Sequence, residues 1–319
     1  MKLLSFATEG KERLGALAPD GGIVDLSRRS ADPACQSMQL LIALGAGALE
    51  RVRQLAQGAV ETIDPATVQW LAPLPQPMQL RDFVAFEEHM RNAGRQVAKL
   101  RRGSPVSGTA PESAPVPSIW YDQPLYYKGN RFAVTGPDQT VHWPTDSVLI
   151  DYELELACVI GARGADIAAA SAHEHIFGYC IYNDLTARDL QFKEMQGPFG
   201  PAKGKDFDGS NVLGPVIVTQ DEVGPQPSLS MRALVNDETW SEGNSGAMHW
   251  SFADIIEHVS RSETLHPGEI LGSGTVGMGC GLELGRFLQH DDDVLLEIEN
   301  IGSLRTRIHA PHVPQRHTL

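Results

Sequence analysis

Short apolar runs alternate with turn residues along most of this chain. Near the amino end, LLSFA and GIVDLS are bounded by glycine-rich turns and predict two strands. LIALGAGALERVRQLAQ repeats its apolar residues at helical spacing and predicts a helix, with GAGALE a packing feature inside it and no nucleotide loop. LAPLPQP, residues 71–77, is punctuated by proline and marks a domain boundary. It divides a small amino-terminal unit, residues 1–75, from a large one, residues 78–319. In the large unit VLIDYELELACVIG, IFGYCIYND, NVLGPVIVTQ, LSMRALVND and VLLEIENIG predict strands. RDFVAFEEHMRNAGRQ, TARDLQFKEM and MHWSFADIIEHVSR predict helices, with Phe83, Phe86 and Met90 on one face of the first. Residues 101–118 are rich in Pro, Ser, Gly and Ala, cannot pack a core, and read as a mobile loop and candidate lid. Many strands and few helices make this a β-rich α+β chain rather than a doubly wound sheet.

Composition narrows the function. A net charge of −14 leaves no basic surface for nucleic acid or anionic membrane. A local cationic pocket for a small anionic substrate remains open. The four cysteines, Cys35, Cys158, Cys180 and Cys280, form no C-x-x-C pair, which removes zinc-knuckle and thioredoxin-type readings. Cys158 and Cys180 lie in apolar runs and read as buried, reduced thiols. The first residues are too poor in apolar side chains for a signal-peptide core, and no stretch is long enough to span a bilayer, so a cytoplasmic protein is expected.

The chemistry starts at DYELELACVIG, residues 151–161, where two carboxylates interrupt an otherwise apolar strand. Side chains alternate along a strand, so Glu153 and Glu155 share a face opposite Leu154 and Leu156. Two buried carboxylates repel and lose hydration, and so require shared protons or a cation. All-oxygen donors suit Mg²⁺, Mn²⁺ or Ca²⁺. A solvated polar face would give the same E-x-E spacing. Asp184 ends a strand just before a helix, as a site residue or as a plain N-cap. Asp82 and His89 lie seven residues apart, which two helical turns would place on one face. His173 and His175 are expected on an exposed turn, His309 and His312 in a solvated tail, and the acidic run 291–293 facing water.

Together these residues resemble the fumarylacetoacetate hydrolase family over roughly residues 80–310. The resemblance implies a mixed β-sandwich roll with a small amino-terminal β-rich domain, and a homodimer. It makes Glu153, Glu155 and Asp184, in D-Y-E-L-E-L and Y-N-D-L-T-A-R-D-L-Q, ligands of a divalent cation, Mg²⁺ first and Mn²⁺ or Ca²⁺ after it. D-F-V-A-F-E-E-H is similar to the family's hydrolase pattern and adds Asp82 as a fourth ligand and His89 as general base. P-L-Y-Y-K-G-N implies Tyr127 in the substrate loop, and L-G-S-G-T implies Thr275 at the substrate. G-K-D-F implies Lys205, and Gln191 joins it as a donor to the reacting oxygen. C-G-L-E-L-G implies Glu283 as the carboxylate that orients His89. Arg188 and Asp189 are read as a structural ion pair.

The implied reaction is metal-dependent hydrolysis of a carbon–carbon bond in a 2,4-diketo acid of the acylpyruvate type. A His-activated water attacks, and an enolate held by the cation leaves. Acylpyruvases and oxaloacetate decarboxylases of the family carry a His-x-x-Glu pair, but the third residue after His89 is Asn92, which favours hydrolysis. A decarboxylase, hydratase or tautomerase of a 2-oxo acid such as oxaloacetate is the alternative. A non-catalytic scaffold has no reason to bury so many charges.

Overall fold

A computed structural model describes residues 1–58, 61–101 and 115–314. The strands that position the site are β1 (Lys2–Thr8), β2 (Lys11–Leu17), β3 (Ile23–Asp25), β4 (Leu80–Phe83), β5 (Tyr126–Lys128), β6 (Gln139–His142), β7 (Leu154–Ile160), β8 (Ile176–Asp184), β9 (Asn211–Thr219), β10 (Ser230–Val235), β11 (Glu238–Asn244), β12 (Ile270–Gly272), β13 (Asp293–Ile298) and β14 (Gly302–His309). The larger sheet has the order β3-β2-β1-β9-β8-β7-β12-β4-β5, and the smaller β11-β10-β13-β14-β6. Most neighbours are antiparallel, while β4 with β12 and β6 with β14 run parallel. The result is the expected β-rich α+β fold with mixed sheets.

The two faces of β7 explain why it is apolar apart from Glu155. Leu154, Leu156, Cys158 and Ile160 enter a core shared with Leu296, Leu304 and Ile308 of the smaller sheet. Ala157 and Val159 face the other way, into a second core under the amino-terminal helices α1 (Met38–Leu44) and α2 (Ala46–Gln57), beside Leu41, Ile42 and Val52. A strand covered on both faces needs no polar side, which is why its pattern reads as a continuous run.

Three expectations change. The helix foreseen over 41–57 is two helices, because Gly45 at φ +75° closes one and opens the next. The helix foreseen from residue 81 begins only at α3 (Glu87–Arg101). Leu80–Phe83 is instead drawn into the sheet, pairing with Ile270–Gly272 on one side and Tyr126–Lys128 on the other. Asp82 and His89 therefore do not share a helix face. Of the 101–118 segment, 102–114 lies outside the described residues, and Ser118 opens a helix through Asp122.

Lys2 and Leu3 of β1 pair with Val218 and Ile217 of β9, so the larger sheet runs unbroken across the 71–77 boundary. All four cysteines are buried and free, and no helix among the described residues is long and apolar enough to cross a membrane. Because β1 is built into the larger sheet, truncating fully buried Leu3 to Ala should cost about 2–5 kcal/mol. Calorimetry should show one melting transition shifted downward. Two transitions, with only one shifted, would contradict this coupling.

Candidate active site

The site forms where four strand ends of the larger sheet converge. Glu155 on β7 is paired with Tyr182 on β8, and Asp184 lies two residues further along the same face of β8. Asp82 on β4 is paired with Gly272 of β12, and Gly272 in turn with Ala157 of β7. A Cβ at Gly272 would lie 2.4 Å from Asp82 Oδ1 and 3.0 Å from Glu155 Oε2. Glycine is thus what lets the two carboxylates approach across β12. Asp82, Glu155 and Asp184 offer oxygens that all lie within 4.8 Å of one another, and all three residues are buried.

These carboxylates are under strong electrostatic pressure. Burial, reinforced by the charge of Asp184, pushes Asp82 up to about 8. Burial and then the charge of Asp82 push Glu155 well above the ordinary range. Burial raises Asp184 as well, against the pull of Lys205. The Gly274 N–H donates to Glu155 Oε2 at 3.1 Å and to Asp82 Oδ1 at 3.3 Å. Thr275 Oγ1 stands 3.5 Å from Glu155 Oε1. Asp184 Oδ1 is buried without a hydrogen-bond partner. An orphaned carboxylate oxygen, an all-oxygen donor set and three mutually repelling acids together fit a hard divalent cation.

Glu153 has a different setting. Its Oε1 accepts from Arg188 Nη2 at 2.6 Å and its Oε2 from Lys205 Nζ at 2.7 Å. Burial would raise this carboxyl, but Arg188 and Lys205 override it and hold Glu153 well below the usual range. Lys205 also donates to Asp184 Oδ2 and, at 2.8 Å, to Thr186 Oγ1, so its three N–H groups are all engaged. Burial alone would discharge the lysine, but Asp184 and Glu153 keep it charged. Tyr127 Oη donates to Asp184 Oδ2 at 2.7 Å.

Arg188 does not pair with Asp189, as the sequence suggested. It bonds Asp151 Oδ2 at 2.7 Å, Glu153, and Gln191 Oε1 at 3.0 Å. Asp189 instead caps a loop, accepting from Ser147 Oγ at 2.5 Å and the Val148 N–H at 2.8 Å. Asp151 completes an alternating series with Glu153 and Glu155, and that period-two spacing was the signal that could have identified it. Asp151 also accepts the N–H groups of Gly281 at 2.7 Å and Leu282 at 2.9 Å. That anchors the short helix α6, Gly281–Leu284 in the row of helices after α4 (Arg188–Glu194) and α5 (Phe252–Ser260).

Helix α6 carries Glu283, whose Oε1 lies 2.7 Å from His89 Nδ1. The other oxygen accepts from Met278 N–H at 2.9 Å and Asn92 Nδ2 at 3.1 Å. Asn92, the third residue after His89, therefore braces the dyad. Burial disfavours charged His89, but the charge and hydrogen bond of Glu283 outweigh it and raise the imidazole. The same pairing overrides burial at Glu283 and lowers its carboxyl. His173 is exposed as expected, but Asp292 is buried and accepts from Asn236 Nδ2 at 2.7 Å, so the acidic run 291–293 does not face water throughout.

The sequence profile described as fumarylacetoacetate (FAA) hydrolase C-terminal matches residues 80–309. A Burkholderia multivorans protein named as a candidate hydrolase is 32% identical over 95% of this chain and 96% of its own. Among solved structures, a Mycobacterium abscessus protein titled a probable 2-hydroxyhepta-2,4-diene-1,7-dioate isomerase superposes with a TM-score of 0.74 at 25% identity, covering 97% of this chain and 98% of that one. The fumarylacetoacetate hydrolase of Exiguobacterium antarcticum gives 0.71 at 27% identity, covering 97% and 99%. The fold is shared too by a Sphingobium maleylpyruvate hydrolase solved with manganese(II) and pyruvate, with a TM-score of 0.71 at 22% identity over 97% and 99% of the chains. The chain belongs to the fumarylacetoacetate hydrolase family.

Proposed function

We infer that the protein hydrolyses a carbon–carbon bond in a 2,4-diketo acid of the acylpyruvate type. The observation that carries this reading is the His89–Glu283 dyad, 2.7 Å across, joined through Asp151, Arg188, Glu153 and Lys205 to the buried Asp82, Glu155 and Asp184 cluster. Asp82, Glu155 and Asp184 would hold a divalent cation, Mg²⁺ or Mn²⁺, with Glu153 alongside. When bound, that cation supplies Lewis-acid polarisation of the diketo oxygens.

The residues of the chain supply the rest. Glu283 accepts the Nδ1 proton of His89, which leaves Nε2 as the base. Nε2 takes a proton from water, and the hydroxide oxygen bonds to the acyl carbonyl carbon. Glu283 offsets the charge of the imidazolium so formed. Gln191 Oε1 accepts from Arg188 Nη1, so its Nε2 end is the donor for the developing oxyanion. The carbon–carbon bond then breaks. Its electron pair passes into the enolate of the 2-oxo acid fragment, which takes up a proton, and the acyl fragment leaves as a carboxylic acid. Lys205 keeps Glu153 and Asp184 ionised throughout.

The likeness to a protein named as an isomerase supports a second reading, because the same dyad can move a proton between carbons of an enol without water attack. Products separate the two: hydrolysis gives two smaller acids, and isomerisation gives a single acid of unchanged mass.

With an acylpyruvate panel, enol absorbance should fall only with Mg²⁺ or Mn²⁺ present, stop with EDTA, and yield pyruvate with the matching acid. His89→Ala should lower kcat by about 10²–10⁴. Full activity in that variant would overturn the proposed base. The pH profile gives an independent check. His89 must be neutral to act, and its pKa is raised, so the rate should climb with pH through a midpoint above the ordinary histidine value of 6.5. Glu283→Gln removes the group that raises it, so the acid limb should move to lower pH while kcat drops. An unmoved limb would show that His89 does not control the rate.

A further inference from the structure

Among the described residues, the proposed reaction leaves one cluster of ligating side chains unused, at the edge of the smaller sheet. His309 ends β14 and is paired with His142, the last residue of β6. Their rings lie 4.9 Å apart, edge to face. His290, in the turn before β13, sets its ring 5.1 Å from that of His309. The sequence placed His309 in solvent, yet it is half-buried between these two rings. Asp291 follows directly, and ligating atoms of His290, Asp291 and His309 all lie within 4.8 Å of one another.

Backbone hydrogen bonds fix this arrangement. Asp291 N–H donates to Ile308 O at 2.8 Å, Ile308 N–H to Asp292 O at 3.0 Å, and Trp143 N–H to His309 O at 2.9 Å. Asp291 holds φ +65°, a conformation non-glycine residues seldom adopt. His290 Nδ1 accepts the Ala310 N–H at 3.2 Å and stands 3.1 Å from Asp291 Oδ1. A ring nitrogen that accepts has no proton to give. The Asp291 carboxylate therefore faces an uncharged ring nitrogen, and the ligating atoms of the three side chains lie close enough to share one ion.

We propose that His290, Asp291 and His309 form a transition-metal site of the Zn²⁺ class, separate from the carboxylate cluster. Two imidazoles are borderline donors that, with one carboxylate, select Zn²⁺ over Mg²⁺. Zinc bonds of about 2.0–2.2 Å place tetrahedral ligand atoms about 3.3–3.5 Å apart, within reach of small side-chain rotations here, with water in the fourth position. His142 orients the His309 ring. The ion fastens the turn entering β13 to the end of β14. His89, Cys280 and Glu283 also lie within 4.8 Å of one another, but protons occupy that group. The imidazole and carboxylate share one at 2.7 Å, and burial keeps the Cys280 thiol well above its usual range.

The test is calorimetric titration of Zn²⁺ into the full chain in saturating Mg²⁺, for the wild type, for His290→Ala with His309→Ala, and for Cys280→Ser. One Zn²⁺ should bind per wild-type chain and per Cys280→Ser chain. Affinity should fall at least about tenfold in the double variant, and Zn²⁺ should raise the melting temperature of the wild type alone of those two. A single cooperative melting transition of the double variant without Zn²⁺, close to that of the wild type, should report that it is folded. No Zn²⁺ uptake would overturn the proposal and put a shared proton between His290 and Asp291. Uptake that survives the double substitution and disappears in Cys280→Ser would overturn it by placing the ion at the other cluster. Because the readout is zinc binding, it stands whether or not acylpyruvates prove to be substrates.

Discussion

Everything at this site depends on how charge is neutralised inside the larger sheet. Asp82, Asp151, Glu153, Glu155 and Asp184 are buried together, and Arg188 and Lys205 are the cations the chain buries with them. Removing either cation would strand carboxylates away from water, a loss of several kcal/mol. The two cations serve Asp151, Glu153 and one oxygen of Asp184. Among the described residues they leave Asp82, Glu155 and the orphaned Asp184 Oδ1 without a directly bonded positive partner. The uncompensated part of the cluster is thus the part best suited to receive an ion.

The Asp151–Arg188 pair also connects the two halves of the site. Through Arg188 it fixes Glu153 and Gln191, and through the Gly281 and Leu282 N–H groups it fixes the helix that carries Glu283. The position of the His89 base is therefore tied to the carboxylate cluster by one buried ion pair. Sheet geometry sets the rest, with parity aligning Glu155 and Asp184 and the missing side chain of Gly272 admitting Asp82.

Much of this was legible in the sequence. Alternation alone put Glu153 and Glu155 on one face, and motif resemblance named Asp82, His89, Asp184, Lys205 and Glu283, which the fold brings together. Other features depended on partners far away in the chain. Asp82 looked helical because the strands that draw it into the sheet come some 45 and 190 residues later. Arg188 seemed to belong to its neighbour Asp189, whereas folding gives it Asp151 and Glu153. Lys205 was expected to donate to substrate, yet its three N–H groups hold carboxylates and Thr186. Local sequence cannot rank competing partners for a long charged side chain, because burial decides which ones matter.

The central claim is that Asp82 and Glu155 retain protons only for want of a cation. Mn²⁺ binding should therefore release protons, which calorimetry at pH 7 in buffers of different ionisation enthalpy measures directly. One Mn²⁺ should bind per chain with release of about one proton, and Asp184→Asn should lose the binding. Mn²⁺ binding without proton release, or binding unchanged in Asp184→Asn, would contradict the account.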